Sequence, residues 1–186
     1  LAIALLVRSY LFEIVRVDGS SMEPNLVNNE RAFALKQEKI KHLSVIVFDA
    51  YGADPQATPG TDYVKRVIGM PGDKISYKNG NLYVNNKLVP QKFISANERT
   101  TGTEIGAEAK DWNLASVAKA RGWGNKPEKV PAGEYFVLGD HRTVSYDSRY
   151  WGFVKKSEVV GVVKVPFWGS TCLLYTSDAA DDMQCV

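Results

Sequence analysis

Three segments of this 186-residue chain concentrate residues able to do chemistry. Asp18-Gly19-Ser20-Ser21-Met22-Glu23-Pro24 sets two serines in a glycine-bearing turn, a place where a hydroxyl and free backbone N–H groups can be presented together. A serine acts as a nucleophile only beside a base and an oxyanion hole, and the usual fate of a Gly-Ser-Ser turn is to be a turn and nothing more. Asp62-Tyr63-Val64-Lys65-Arg66-Val67-Ile68 could supply the base. Strand alternation puts Lys65 on one face with Tyr63 and Val67, and Arg66 on the other with Val64 and Ile68. A lysine on such a face either snorkels to water or is desolvated. Desolvation disfavours the ammonium, and a neutral lysine is a competent general base. The third segment, Gly139 to Gly152, holds Asp140, Asp147, Arg142, Arg149, Ser145 and Ser148. Bidentate ion pairs and hydroxyl hydrogen bonds among these can lock a loop, and structural locking accounts for most of them.

The elements that must position these residues read as short strands with tight turns. Segments rich in β-branched and aromatic residues predict strands over 11–17, 31–35, 43–48, 62–68, 74–77, 82–84, 135–138 and 159–165. Asn79-Gly80 is a strong hairpin signal, since both central positions of a type I′ turn need positive φ, and Asn85-Asn86 is a weaker repeat of it. Pro71-Gly72-Asp73 is the turn that introduces this small meander. Residues 95–129 break the rhythm. Within them Asn113 suits an N-cap, Lys119 and Arg121 the negative end of the helix dipole, and Gly122 the C′ position, which predicts a helix.

Composition narrows the function classes. Lysine plus arginine at 23 against aspartate plus glutamate at 21 gives a net +2, too weak a field to make nucleic acid the main partner. Asp178, Asp181 and Asp182 fall in residues 172–186, which hold no base, so residues 1–171 carry 23 bases against 18 acids, an excess of +5 compatible with a surface near anionic lipid. Cys172 and Cys185 also lie in that last segment, which excludes a disulfide scaffold and a cysteine zinc site from the body. His42 and His141, the only histidines, are too far apart for a helical zinc motif. No metal and no cofactor is expected. The opening run Leu1 to Val7 is apolar and meets Arg8; it reads either as the end of a membrane helix, which needs roughly 20 apolar residues to cross, or as a core segment. Phe167 and Trp168 could face lipid with it, although core burial is the commoner fate of such residues.

In chain order, Gly-x-Ser-Met-x-Pro, then Tyr-Val-Lys-Arg-Val-Ile-Gly-Met-Pro-Gly-Asp, then Gly-Asp-x-Arg-x-x-Ser-x-Asp-Ser-Arg resemble the bacterial type I signal peptidases over nearly the whole body from Leu1 to Trp168, and more closely their Gram-positive, lactic-acid-bacterial branch. The resemblance implies a Ser/Lys protease with Ser21 as nucleophile and Lys65 as general base. It implies that Ser145 orients the lysine, that Asp147 and Arg149 form a structural pair near the site, and that Arg66 and Asp140 support it. Two positions depart from the pattern. Gly19 stands where the Gram-negative branch has a second, oxyanion-holding serine, so the hole would rely on backbone N–H groups, including that of Ser21. His141 stands where the family usually has asparagine, which invites a Ser-His-Asp reading.

The reading adopted is an all-β, mainly antiparallel catalytic domain with a small helix-containing insertion. Its parts are the C-terminal end of a membrane helix (1–7), the β-rich domain (8–94 and 130–171), an inserted smaller lobe (95–129) and an extraneous or disordered tail (172–186). Expected partners are signal-peptide-bearing preproteins and the lipid bilayer, with no nucleic acid; the protein is expected to be a monomer with its catalytic domain on the extracytoplasmic side of the cell membrane. The rivals are a self-cleaving repressor-type Ser/Lys protease, which would pair the dyad with a DNA-binding helix-turn-helix, and a non-catalytic cell-surface β module in which Ser21 and Lys65 are only turn and surface residues.

Overall fold

The computed structural model describes residues 10–106 and 110–164. Leu1 to Val7, Phe167, Trp168 and the 172–186 tail, on which several expectations fall, lie outside the described residues. Among those described, the strands are β1 (Phe12–Arg16), β2 (Arg31–Leu35), β3 (Val45–Asp49), β4 (Asp62–Gly69), β5 (Ile75–Lys78), β6 (Asn81–Val84), β7 (Lys87–Leu88), β8 (Trp112–Asn113), β9 (Glu134–Leu138), β10 (Val154–Lys155) and β11 (Val159–Lys164). Helices α1 (Ala96–Arg99), α2 (Leu114–Arg121) and α3 (Ser148–Trp151) are short.

One sheet runs β1-β2-β11-β3-β4-β9-β10 and the other β7-β6-β5-β8, and every pairing is antiparallel. The all-β expectation therefore holds. β4 lies inside the larger sheet, with Lys65 opposite Ile46 of β3 and Arg66 opposite Leu138 of β9. Because β4 is central, between apolar strands, the charges it carries at Lys65 and Arg66 are buried at a desolvation cost. The 17–30 turn between β1 and β2 and the 139–149 segment leaving β9 both reach it, at Lys65 and Arg66, and touch each other.

Local rules explain the joints. Asn79 and Gly80 have φ of 50° and 76°, and Asn85 and Asn86 of 51° and 64°, the left-handed values that asparagine and glycine tolerate. In α2 the Asn113 side chain accepts from the Ser116 N–H at 2.9 Å while Ser116 Oγ accepts from the Asn113 N–H at 2.8 Å, a reciprocal cap. Gly122 closes that helix at φ 69°. Trp112, Leu114 and Val117 then bury against Ile68, Phe136 and Leu138, so the second sheet and α2 share a core with the strands that carry the site.

Candidate active site

Lys65 settles the choice between a snorkelling and a desolvated lysine. It is only 4% exposed, and Nζ lies 2.8 Å from Ser21 Oγ. Burial lowers its pKa from 10.5 to about 8; the charges of Asp147 and Asp140 oppose that fall and Arg149 reinforces it. Nζ also stands 5.2 Å from the centre of the Tyr63 ring, as two side chains on one strand face should. The Tyr63 hydroxyl donates to the buried carboxylate of Asp54 at 2.9 Å, and burial together with that bond pushes its pKa up to about 12.

Ser21 belongs to a turn held at its neck by backbone bonds between Val17 and Glu30 and between Asn29 and Val17. The Gly19 N–H donates to Asn28 Oδ1 at 3.0 Å, while the Ser21 N–H makes no hydrogen bond among the described residues. Of the two, the Ser21 N–H is the one open to a ligand. Met22 and Leu26 are buried beneath the turn and anchor it to Val15, Val17, Val47 and Val64.

Behind Ser21 and Lys65, three arginines are buried, and two of them are paired with carboxylates. Arg66 makes a bidentate pair with Asp140, 2.8 and 2.6 Å, and its third nitrogen reaches the Leu43 carbonyl. Arg149 does the same with Asp147, both at 2.9 Å, and donates to the carbonyls of Gly102 and Arg142. Burial alone would raise the Asp147 carboxyl, but Arg149 and the Gly139 N–H hold it below the usual carboxylate range. Arg142 bonds Gly139, Thr103 and Gln91; burial, helped by Arg149, lowers it to about 10, which leaves it a cation at neutral pH. The structural-lock reading of this segment thus describes Asp140, Arg142, Asp147 and Arg149. Ser145 is buried beside Gly139, and its hydroxyl makes no hydrogen bond in this arrangement.

His141 does not stand as a base toward Ser21. Its Nδ1 lies 3.2 Å from the Ser20 carbonyl, and since a carbonyl only accepts, that nitrogen carries the proton. The Ser-His-Asp alternative needs an imidazole nitrogen on Ser21 Oγ, where Lys65 sits instead. Among the described residues no group of histidine, cysteine, aspartate and glutamate is arranged to hold a metal.

Sequence reasoning passed over Asn25, whose buried amide donates to both Asp140 and the Phe93 carbonyl at 2.8 Å. It also missed Glu98, whose carboxylate accepts from the Thr143 N–H and hydroxyl. Asn25 sits one residue beyond the serine motif, a signal in itself; Glu98 gave none.

A cleft of about 440 Å³ opens over Ser21 and Lys65, with Val15, Val17, Val64, Val144 and Tyr146 among its lining residues. The chain is similar to known proteins. The chain is 35% identical to signal peptidase IB of Staphylococcus aureus over 89% of its own length and 83% of that protein's. It is 38% identical to signal peptidase I P of Bacillus subtilis subsp. natto over 90% of its length and 83% of that protein's. A crystal structure of a signal peptidase I from Enterococcus faecalis superposes with a TM-score of 0.53 at 30% identity, covering 68% of this chain and 98% of that one. The model of the family described as signal peptidase, peptidase S26, matches residues 1–168, which spans all three segments from which the site is built, and the chain belongs to that family.

Proposed function

We propose that the chain is a serine endopeptidase that cleaves signal peptides from preproteins with Ser21 as nucleophile and Lys65 as general base. The observation that carries this is the 2.8 Å contact between a serine hydroxyl and a lysine buried enough to titrate at about 8. At pH 7 about a tenth of such lysines are neutral, against fewer than one in a thousand at the ordinary value. In that form the Ser21 hydroxyl donates to Nζ. As Oγ attacks the scissile carbonyl, Nζ takes its proton and later gives it to the leaving amine. Water, deprotonated by the same nitrogen, then hydrolyses the Ser21 ester. The Ser21 N–H, which makes no hydrogen bond among the described residues, would receive the developing oxyanion. Arg66, Asp140, Asp147 and Arg149 hold the backbone that fixes this geometry; Ser145 would orient Lys65 only by turning its hydroxyl, which makes no hydrogen bond in the present arrangement, toward Nζ.

An extended substrate would lie along β1, whose outer edge is unpaired among the described residues. The valines of the cleft suit the small side chains of an Ala-x-Ala site. Membrane anchoring through residues 1–7, with the catalytic domain on the extracytoplasmic side, is supported by the apolar opening and by the exposure of Tyr10, Leu11 and Ile14 just after it. No helix among the described residues is long and apolar enough to cross a membrane. The domain division, monomeric state and lactic-acid-bacterial branch belong to the same proposal, the last resting on Gly19 and the Lys-Arg-Val-Ile-Gly-Met run.

Incubating the protein in detergent with a peptide that spans an Ala-x-Ala site should give one cut after the second alanine. An acylating inhibitor of the β-lactam kind should add its mass to Ser21, and neither event should occur in Ser21→Ala. Undiminished cleavage by that variant would refute the reading and favour the non-catalytic or a different catalytic role for the turn.

A further inference from the structure

We infer that His141 is a positioning residue for the oxyanion site: its side chain fixes the Ser20–Ser21 peptide plane so that the Ser21 N–H faces the cleft. The inference rests on the assignment of Ser21 as nucleophile. His141 makes two hydrogen bonds to consecutive carbonyls of the serine turn. Its backbone N–H donates to the Ser21 carbonyl at 3.0 Å, and Nδ1–H donates to the Ser20 carbonyl at 3.2 Å. The Ser20–Ser21 peptide is trans, so its C=O and N–H point in opposite directions. Tying the Ser20 oxygen to the imidazole therefore turns the Ser21 N–H away from His141. That N–H has no other partner among the described residues, so nothing else on its own side fixes its direction.

The turn is anchored below by Met22 and Leu26, but the Ser20–Ser21 peptide itself is less restrained: Gly19 precedes it with φ of +85° and nothing within 4 Å of where a Cβ would stand, and Ser20 and Ser21 are only partly buried. A donor free to swing by even a small angle stabilises a developing oxyanion poorly, because the value of such a group lies in being oriented before the charge appears. The position that departs from the usual asparagine thus carries out work an asparagine amide, also a donor, could do at shorter reach. His141 on this account never touches the substrate and never exchanges a proton with Ser21.

The side-chain bond can be removed without the backbone one. In His141→Ala, kcat for the peptide should fall about 10- to 100-fold, less than the 10²–10³ of losing a donor outright, while KM changes less than threefold. Affinity for a peptide aldehyde, whose carbonyl carbon Ser21 Oγ attacks to form a hemiacetal with its oxygen in the hole, should fall with kcat. The pH midpoint set by Lys65 should stay in place. His141→Asn should restore most of the loss. If the alanine variant fails to fold, His141→Phe keeps a ring without the donor and gives the same comparison. Wild-type kcat and aldehyde affinity in the donor-less variant would overturn the inference, as would a loss that appears in KM alone. Cleavage surviving in Ser21→Ala is a different result: it removes the nucleophile assignment itself.

Discussion

Gly139 passes the Ser21 carbonyl so closely that a Cβ on it would stand 2.6 Å from that oxygen, and would press on the Ser145 side chain as well. The glycine is needed for space rather than for a left-handed turn. It lets the strand that ends at Leu138 lie directly against the backbone of Ser21 while its own N–H bonds Asp147 at 3.0 Å.

Gly139→Ala should therefore push the serine turn off its register with Lys65. Overpacking of this kind costs about 1–3 kcal/mol, and a displacement near 1 Å can cost on the order of 10²-fold in rate. Peptide kcat/KM should drop by about that factor with the fold retained by circular dichroism. A change of less than twofold would show that the turn and Gly139 move apart freely.

The Arg66–Asp140 pair is buried on both sides, and removing one partner strands the other. Asp140→Ala should cost about 3–5 kcal/mol in urea unfolding. Asp140 also helps to hold the Lys65 ammonium, so any active fraction of this variant should show its acid limb moved to lower pH. A loss below 1 kcal/mol would mean that the guanidinium finds other acceptors beyond Leu43.

Lys65 should be a liability for stability. Its folded pKa, about 8, lies below the unfolded 10.5, so between those values the unfolded chain binds more protons and stability rises with pH. Below pH 8 the full cost, about 3 kcal/mol, is present. Lys65→Met keeps the stem and removes the charge, so its melting temperature should exceed wild type at pH 7 and the gap should close as pH approaches 10.5. A gap that is absent at pH 7, or grows with pH, would contradict the burial of this amine.

Much of the fold was legible because its signals are local. The eight anticipated strands are present with ends shifted by one or two residues, Asn79-Gly80 turns as its φ values require, and Asn113 and Gly122 bound α2. β7 was legible only through the Asn85-Asn86 turn that returns it to β6, whereas the two-residue strands β8 and β10 were not legible, because a pair of residues has no periodicity and is a strand only by virtue of its partner. The same holds for the site. Ser21 and Lys65 were candidates by type and setting and were singled out by the resemblance of the three segments taken together, but Gln91, Glu98 and Thr103, which brace the 140–149 segment, carry no pattern that marks them. His141 invited a Ser-His-Asp alternative because its chemistry suits a base, and only the fold brings its Nδ1 to the Ser20 carbonyl rather than to Ser21 Oγ.

The pH dependence of kcat/KM, measured for wild type and for Lys65→Met and His141→Asn, tests the central claim most directly. With a buried lysine as base, wild-type activity should keep rising above pH 7 through a midpoint of about 8, His141→Asn should keep that midpoint, and Lys65→Met should lose at least the 10²–10⁴ typical of a missing general base. A limb that levels off near neutrality, vanishes in His141→Asn and survives in Lys65→Met would contradict the Ser21–Lys65 mechanism.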